Sequence, residues 1–142
     1  MKKIRASRYH DISCGHRIVG HEGKCANLHG HNYRIHFHCE ADNLDEVGRV
    51  VDFGVIKLYL CGWLENNWDH KFIMWDRDPL ASVLMEIAPD SVSLTSFNPT
   101  AENMAKFLCE ELGQAQLADT NVRLVSVVVE ETRKCSASYS MD

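Results

Sequence analysis

The alternation of hydrophobic and polar residues predicts strands towards both ends of the chain. It is clearest in residues 31–41, where the odd-numbered side chains are mostly apolar and the even-numbered ones are polar. Residues 17–28 contain two glycines and an asparagine, which favour a loop. The segments predicted to be strands are 3–14, 31–41, 91–97, 121–132 and 135–141.

Two helices are predicted between these strands. Asp52 is a suitable N-cap for a helix over about residues 53–66. Asn98 as N-cap and Pro99 at the first helical position are a start signal for a second helix, which we expect to end near Leu112 because Gly113 follows. The order strand, strand, helix, helix, strand, strand indicates an α+β fold with antiparallel hairpins at both ends.

The composition narrows the class of protein. A chain of 142 residues corresponds to about one domain, and it can bury a core without disulfides or a structural metal. We therefore expect a single domain over residues 1–142. The net charge of −5 argues against nucleic acid or an anionic membrane as the main partner. The chain begins with no apolar stretch typical of a signal peptide, so we expect a cytoplasmic protein with mostly reduced cysteines.

Histidines are concentrated in the first part of the chain, where seven of the eight fall within the first 38 residues. In extended backbone, His29 and His31 point to the same face, about 7 Å apart at their Cα atoms. His16 lies near the predicted end of the first strand. Three histidines and a water are the usual ligands of a catalytic zinc ion. The alternative is that the His-x-His pattern is chance and that these side chains lie on a sheet surface.

Two further segments are candidates for proton transfer. Cys25 lies in the predicted loop, and a neighbouring cation or metal ion would favour its thiolate form, which acts as a base or a nucleophile. The alternative is that Cys25 is the fourth ligand of a closed structural zinc site. Asp69-His70 pairs a carboxylate with an imidazole, a combination suited to moving protons.

Glu131 continues the apolar face of the predicted strand 121–132. A carboxylate on such a face needs a hydrogen-bonding partner, and a flat heterocycle with two adjacent N–H groups satisfies both of its oxygens. The alternative is that the strand has already ended and that Glu131 is solvated.

Together these motifs resemble the family of 6-pyruvoyltetrahydropterin synthase and 6-carboxytetrahydropterin synthase over nearly the whole chain. The Cys-x₃-His-x-His spacing resembles the bacterial 6-carboxy enzymes, because the 6-pyruvoyl enzymes usually have two more residues between the cysteine and the histidines. The segments that carry the resemblance are Cys14-Gly15-His16-Arg17, 24–33, Val51-Asp52-Phe53, Trp68-Asp69-His70, 98–103 and Glu131-Thr132.

The resemblance implies the tunnelling fold. In this fold an antiparallel sheet carries two helices on one face, and the sheets of several subunits pool into a barrel. It also implies a homohexamer of two stacked trimers with active sites at the subunit interfaces. By the same resemblance, His16, His29 and His31 hold Zn²⁺.

The resemblance also assigns the remaining site residues. Cys25 is the general base, and Asp69 with His70 forms a second proton-transfer group. Glu131 grips the pterin ring, and Thr100 matches a region near the pterin. In two places this chain departs from the family: Cys14 adds a second thiol beside the first histidine motif, and residues 74–97 form a longer segment than in the shortest members.

The implied activity is that of a zinc-dependent lyase. It converts 7,8-dihydroneopterin triphosphate to 6-carboxy-5,6,7,8-tetrahydropterin, releases acetaldehyde and triphosphate, and belongs to queuosine biosynthesis. Three alternatives stay open: a 6-pyruvoyltetrahydropterin synthase that retains the substrate side chain, a non-catalytic pterin- or zinc-binding module, and a purely structural zinc protein.

Overall fold

The computed structural model describes residues 3–142, which form one mixed sheet of six strands. The strands lie in the order β4-β3-β1-β2-β5-β6. Their bounds are β1 Ala6–His16, β2 His29–Ala41, β3 Phe72–Trp75, β4 Val92–Thr95, β5 Val122–Glu130 and β6 Ser136–Ser140.

Two helices occupy the connections that the sequence predicts, and each contains a π-helical turn, while a third helix lies between β3 and β4. Helix α1 covers 53–67 and consists of Phe53–Ile56, the π turn Lys57–Cys61 and Gly62–Asn67. Helix α2 is Pro79–Ile87. Helix α3 covers 101–116 and consists of Ala101–Phe107, the π turn Leu108–Leu112 and Gly113–Gln116. Single 3₁₀ turns lie at Lys24–Ala26 and Pro89–Ser91.

The α+β class and both predicted hairpins are confirmed, since β1 pairs with β2 and β5 pairs with β6, each antiparallel. The sheet is not antiparallel throughout, however. Strand β3, which the hydrophobic pattern did not predict, pairs in parallel with β1 and with β4. It has only four residues, too few for a period of two to show.

Helix α3 differs from its prediction at both ends. Its N-cap is Thr100, whose hydroxyl accepts a hydrogen bond from the Asn103 N–H at 3.1 Å, so the prediction that Asn98 caps the helix was wrong. Gly113 does not end the helix either. A Cβ atom at this position would collide with the Leu124 side chain, so glycine lets α3 approach β5 closely.

The helices cover one face of the sheet. Ile35 and Phe37 of β2 are fully buried in the same cluster as Leu60 of α1 and Leu108 of α3. The opposite face of β2 carries polar side chains, among them Arg34, which pairs with Asp11 across to β1 at 2.8 Å. In a single chain this polar face is open.

None of the helices in the described part of the chain has the length and apolar character that crossing a membrane requires. All six cysteines are free thiols.

An ion pair ties the loop after β1 to the start of α2. The Arg17 guanidinium contacts both carboxylate oxygens of Asp78, with Nε 2.8 Å from Oδ2. Asp78 is 3% exposed, and it also caps α2 by accepting a hydrogen bond from the Leu80 N–H at 2.8 Å. The Arg17 guanidinium is the main reason that the pKa of Asp78 is lowered.

We predict that Asp78→Asn lowers the free energy of unfolding by about 2 kcal/mol at pH 7, because it strands a partly buried guanidinium. The folded-state pKa lies below the ordinary carboxyl value, so this stabilisation is present above about pH 4 and is lost as the pH falls through the folded pKa. Urea unfolding of the wild type and of Asp78→Asn at pH 7 and pH 3 measures the difference in their free energies of unfolding.

Asp45→Asn is the matched control, since Asp45 pairs with Arg49 at 2.8 Å on the surface. We expect it to cost less than about 1 kcal/mol. If Asp78→Asn lowers the free energy of unfolding by the same amount at pH 7 and at pH 3, the ion pair is not the source of the lost stability.

Candidate active site

Three imidazoles meet at one end of the β1–β2 hairpin. His16 is the last residue of β1 and lies directly opposite His29, the first residue of β2. His31 follows two residues later and so projects from the same face. The ligand nitrogens of the three rings all lie within 4.8 Å of one another, and His16 Nε2 is 3.1 Å from His29 Nε2.

Backbone carbonyls fix the protonation of two of these rings. Nδ1 of His16 lies 2.7 Å from the Pro99 oxygen, and Nδ1 of His29 lies 2.7 Å from the Asn27 oxygen. A carbonyl only accepts hydrogen bonds, so both Nδ1 atoms carry the proton and both Nε2 atoms present lone pairs. The two Nε2 atoms therefore cannot hydrogen-bond to each other, although they are close enough to do so.

The third ring completes a site that fits a cation. Nε2 of His31 is buried and has no hydrogen-bond partner. Burial is the main reason that the pKa values of His16 and His31 are lowered, so both rings favour the neutral form that binds metals. Three converging imidazole nitrogens, with two of the rings held by carbonyls on the far side, could hold a metal ion.

Cys25 lies outside this group. It sits half-buried in the 3₁₀ turn Lys24–Ala26, and within residues 3–142 the convergent group comprises the three histidines alone. The main chain nevertheless ties Cys25 to the segment that follows His16, because the Cys25 oxygen accepts a hydrogen bond from the Ile18 N–H at 2.8 Å. This arrangement argues against a closed Cys-His₃ site.

Cys14 is the second thiol of this region. It is 6% exposed and belongs to the hydrophobic core. Burial, with a smaller effect from Asp69, raises the pKa of Cys14 to about 12. The side chain is therefore a neutral thiol at physiological pH and cannot serve as the base.

Glu131 lies beside the imidazoles rather than in open solvent. It follows β5 directly, and its side chain is 24% exposed. Its carboxylate oxygens are 3.5 Å from Nε2 of His31 and 3.9 Å from Nε2 of His16. Its N–H donates to the Cys135 oxygen at 3.0 Å, so the turn between β5 and β6 is fixed here. A ligand beside the three histidines is within reach of this carboxylate.

Asp69 and His70 form the predicted pair, with Asp69 Oδ2 2.9 Å from Nδ1 of His70. The other oxygen of Asp69 accepts a hydrogen bond from the Ser13 N–H at 2.9 Å. Burial alone would raise the pKa of Asp69, but the hydrogen bonds from Ser13 and His70 outweigh it and the pKa is lowered. Asp69 therefore stays ionised and holds the imidazole in one orientation.

The backbone of His70 is strained. Its φ of 61° is the one positive value among the non-glycine residues that the structure describes, and its N–H donates to the Ser13 oxygen at 2.6 Å. Such strain is frequent at functional sites because the surrounding structure must maintain it. The strained residue carries a side chain that is 80% exposed.

A cavity of about 460 Å³ connects two of the three histidines with His70, since His29, His31, His70 and Lys71 all line it, whereas Cys25 and Glu131 do not. A second cavity of about 520 Å³ shares His70 with the first and lies on the polar side of the sheet. Thr100 lines neither of these two cavities, and its hydroxyl is used to cap α3.

Sequence reasoning missed the groups that orient the histidines. The partners of His16 and His29 are main-chain carbonyls, at Pro99 and Asn27, and a carbonyl leaves no residue-type signature. It also missed Asn98, whose side chain hydrogen-bonds to Val19 instead of capping a helix.

Comparison with known proteins finds relatives that all belong to one family of pterin synthases. The family model described as 6-pyruvoyl tetrahydropterin synthase matches residues 5–142. The 6-carboxy-5,6,7,8-tetrahydropterin synthase of Rickettsia typhi is 35% identical over 133 residues, which is 93% of this chain and 96% of that protein. The protein of the same name from Aquifex aeolicus is 37% identical over 124 residues, or 82% of this chain and 75% of its own.

Solved structures show the same fold. An uncharacterized protein from Wolinella succinogenes superposes with a TM-score of 0.87 at 23% identity and covers all of both chains. The 6-pyruvoyl tetrahydropterin synthase of Caenorhabditis elegans superposes with a TM-score of 0.70 at 22% identity, over 100% of this chain and 98% of that one.

Proposed function

The chain belongs to the 6-pyruvoyl tetrahydropterin synthase family, and from this premise we propose that it is a zinc-dependent 6-carboxy-5,6,7,8-tetrahydropterin synthase built as one catalytic domain. Membership makes it an enzyme of this pterin synthase type. The metal, the reaction and the pathway are our proposal: 7,8-dihydroneopterin triphosphate is converted to 6-carboxy-5,6,7,8-tetrahydropterin, acetaldehyde and triphosphate, in the cytoplasmic route to queuosine.

The observation that carries this proposal is the shared cavity. Two of the three converging histidines and the imidazole of His70 line the same space of about 460 Å³. A structural zinc site would need neither the cavity nor a strained, exposed histidine beside it. When bound by His16, His29 and His31, Zn²⁺ would polarise the hydroxyl groups of the substrate side chain.

The residues of the chain then have distinct tasks. The Glu131 carboxylate accepts hydrogen bonds from the N–H groups of the pterin ring and fixes the ring in the site. The Cys25 thiolate takes a proton from the substrate side chain. His70, oriented by Asp69 through Nδ1, exchanges protons through the ring nitrogen that Asp69 leaves free.

We also propose that the site is completed by other copies of the chain, in a homohexamer of two trimers. In the single chain the polar face of the sheet is open, and His70 is 80% exposed. A proton-transfer group works best where water is excluded. A particle with six times the chain mass in analytical ultracentrifugation supports the hexamer, and a monomer contradicts it.

The test of the function is product analysis. Purified zinc-loaded protein is incubated with 7,8-dihydroneopterin triphosphate, and the products are identified by mass spectrometry. We expect 6-carboxy-5,6,7,8-tetrahydropterin and one acetaldehyde for each. Retention of the three-carbon side chain without acetaldehyde identifies the 6-pyruvoyl alternative instead, and absence of turnover identifies a pterin- or zinc-binding module.

Glu131→Gln is expected to weaken pterin binding by about 10- to 100-fold, because it removes a charged partner of two N–H groups. The measurement is a fluorescence titration with 7,8-dihydroneopterin at saturating zinc. Glu130→Gln is the matched control: the neighbouring carboxylate pairs with His36 on the other face of the sheet, so the affinity stays the same. Equal affinity in Glu131→Gln and wild type removes the anchor role.

A further inference from the structure

The side chain of Asn98 joins two parts of the site that are far apart in sequence. Its Oδ1 accepts a hydrogen bond from the Val19 N–H at 3.1 Å, and its Nδ2 donates to the Val19 oxygen at 2.9 Å. A paired contact of this kind holds the backbone of one residue in both position and orientation. Asn98 thus fixes the loop 17–28 against the segment that leads into α3.

The same loop carries Cys25, and a further hydrogen bond transmits the constraint to it. The N–H of Ile18, the residue before Val19, donates to the Cys25 oxygen at 2.8 Å. The backbone of Cys25 is therefore two hydrogen-bonded steps from the Asn98 side chain. The Arg17–Asp78 ion pair anchors the start of this loop, whereas Asn98 holds it at Val19. Gly20, next to Val19, has a φ of 84°, a left-handed conformation that glycine adopts without strain.

The other end of the connection is equally well held. The main-chain oxygen of Asn98 accepts a hydrogen bond from Nδ2 of Asn103, in the first turn of α3, at 2.9 Å. The adjacent Pro99 oxygen accepts from Nδ1 of His16. Two consecutive residues therefore contact the loop of the proposed base and a proposed zinc ligand.

The Asn98 side chain does not stabilise the helix itself. Thr100 supplies the side-chain cap of α3, and Asn103 bonds to the main chain of Asn98, not to its amide. Truncating the Asn98 side chain therefore leaves every hydrogen bond of the helix start in place. Its two side-chain bonds both go to Val19.

We propose that Asn98 is a positioning residue that sets the Cys25 thiol relative to His16. Its catalytic consequence rests on the proposed function, since Cys25 must act as the base for its position to affect turnover. Its structural consequence does not depend on that function, because the loop is held by Asn98 whatever reaction the site performs.

The experiment compares the zinc-loaded wild type with Asn98→Ala. We expect iodoacetamide to alkylate Cys25 about tenfold faster in the variant, measured by peptide mass spectrometry, because two hydrogen bonds that hold the loop are lost. Alkylation of the exposed Cys135 stays unchanged and serves as the internal reference. At saturating zinc, kcat falls about 10- to 100-fold and KM changes less than about threefold, since a misplaced base affects the chemical step.

Asn67→Ala is the matched control, because the Asn67 amide also donates to a backbone oxygen, that of Trp63, at 2.9 Å on the surface. It leaves the Cys25 alkylation rate and kcat unchanged. If Asn98→Ala does not fold, Asn98→Asp takes its place: it keeps the acceptor for the Val19 N–H and loses the donor, and we expect alkylation about threefold faster.

A Cys25 alkylation rate equal to that of wild type in the folded Asn98 variant overturns the proposal. Failure of the proposed function is a separate outcome, in which the wild type does not turn over dihydroneopterin triphosphate. The alkylation rates then still test whether Asn98 holds the loop of Cys25. Faster alkylation with unchanged kcat also overturns the positioning role, because the thiol moves without affecting the reaction.

Discussion

Replacing Cys25 with alanine is expected to lower kcat by about 10²- to 10⁴-fold while zinc content and folding stay unchanged. This is the range that a positioned general base contributes. Cys14, the second thiol of this region, cannot take its place, because it is buried and its pKa is raised to about 12. The measurement is steady-state turnover of dihydroneopterin triphosphate. Bound zinc is determined on the same samples by inductively coupled plasma mass spectrometry.

The unchanged zinc content separates two roles of this thiol. If Cys25 were the fourth ligand of a closed Cys-His₃ site, its removal would lower the bound zinc content. If it is a base, its removal lowers only the turnover rate. Cys135→Ala is the control, since it removes an exposed thiol and leaves the turnover as it is. Wild-type turnover in Cys25→Ala would rule out the thiolate base.

The histidine cluster could be anticipated because it depends on a strong local rule. Side chains alternate along a strand, so His29 and His31 had to share a face once residues of that segment were recognised as extended. His16 required only that the first strand reach it. The structure brings the three rings together where the two strands of the hairpin pair, with His16 opposite His29.

Other features of the site follow from contacts between distant segments, which a single sequence does not display. Asn98-Pro99 has the local signature of a helix start, yet the helix is capped by Thr100. The Asn98 amide instead binds Val19, 79 residues earlier in the chain. The local preference gave way because the neighbouring threonine satisfied the helix, leaving the asparagine free for a tertiary contact.

Strand β3 was missed for a related reason, and its position affects the site. Gly15 and His16 of β1 pair in parallel with Phe72 and Ile73. This pairing brings the turn at Asp69-His70 against Ser13, which holds both the carboxylate and the strained backbone of that turn. A four-residue strand has no readable periodicity, so the proximity of the two predicted groups became visible only in three dimensions.

Replacing His31 with alanine is expected to lower zinc affinity by more than about 100-fold, a loss larger than that of groups which merely orient a ligand. In the wild type, Nε2 of His31 is buried and has no hydrogen-bond partner, while Nε2 of His16 and of His29 lie 3.1 Å apart as lone-pair acceptors. A cation relieves all three at once, and two imidazoles alone leave it poorly coordinated. The measurement is a competitive titration of zinc with a chromophoric chelator.

His38→Ala is the matched control for this ligand. His38 lies on the same strand with its ring on the opposite face, bonded to the Ser7 hydroxyl at 2.6 Å, and its removal leaves zinc affinity unchanged. Far-ultraviolet circular dichroism of His31→Ala should match wild type, because the histidines lie at the end of the hairpin and the core is formed elsewhere. Wild-type zinc affinity in His31→Ala contradicts the three-histidine site, and unfolding on zinc removal would indicate a structural ion, which stabilises the fold and needs no open coordination position.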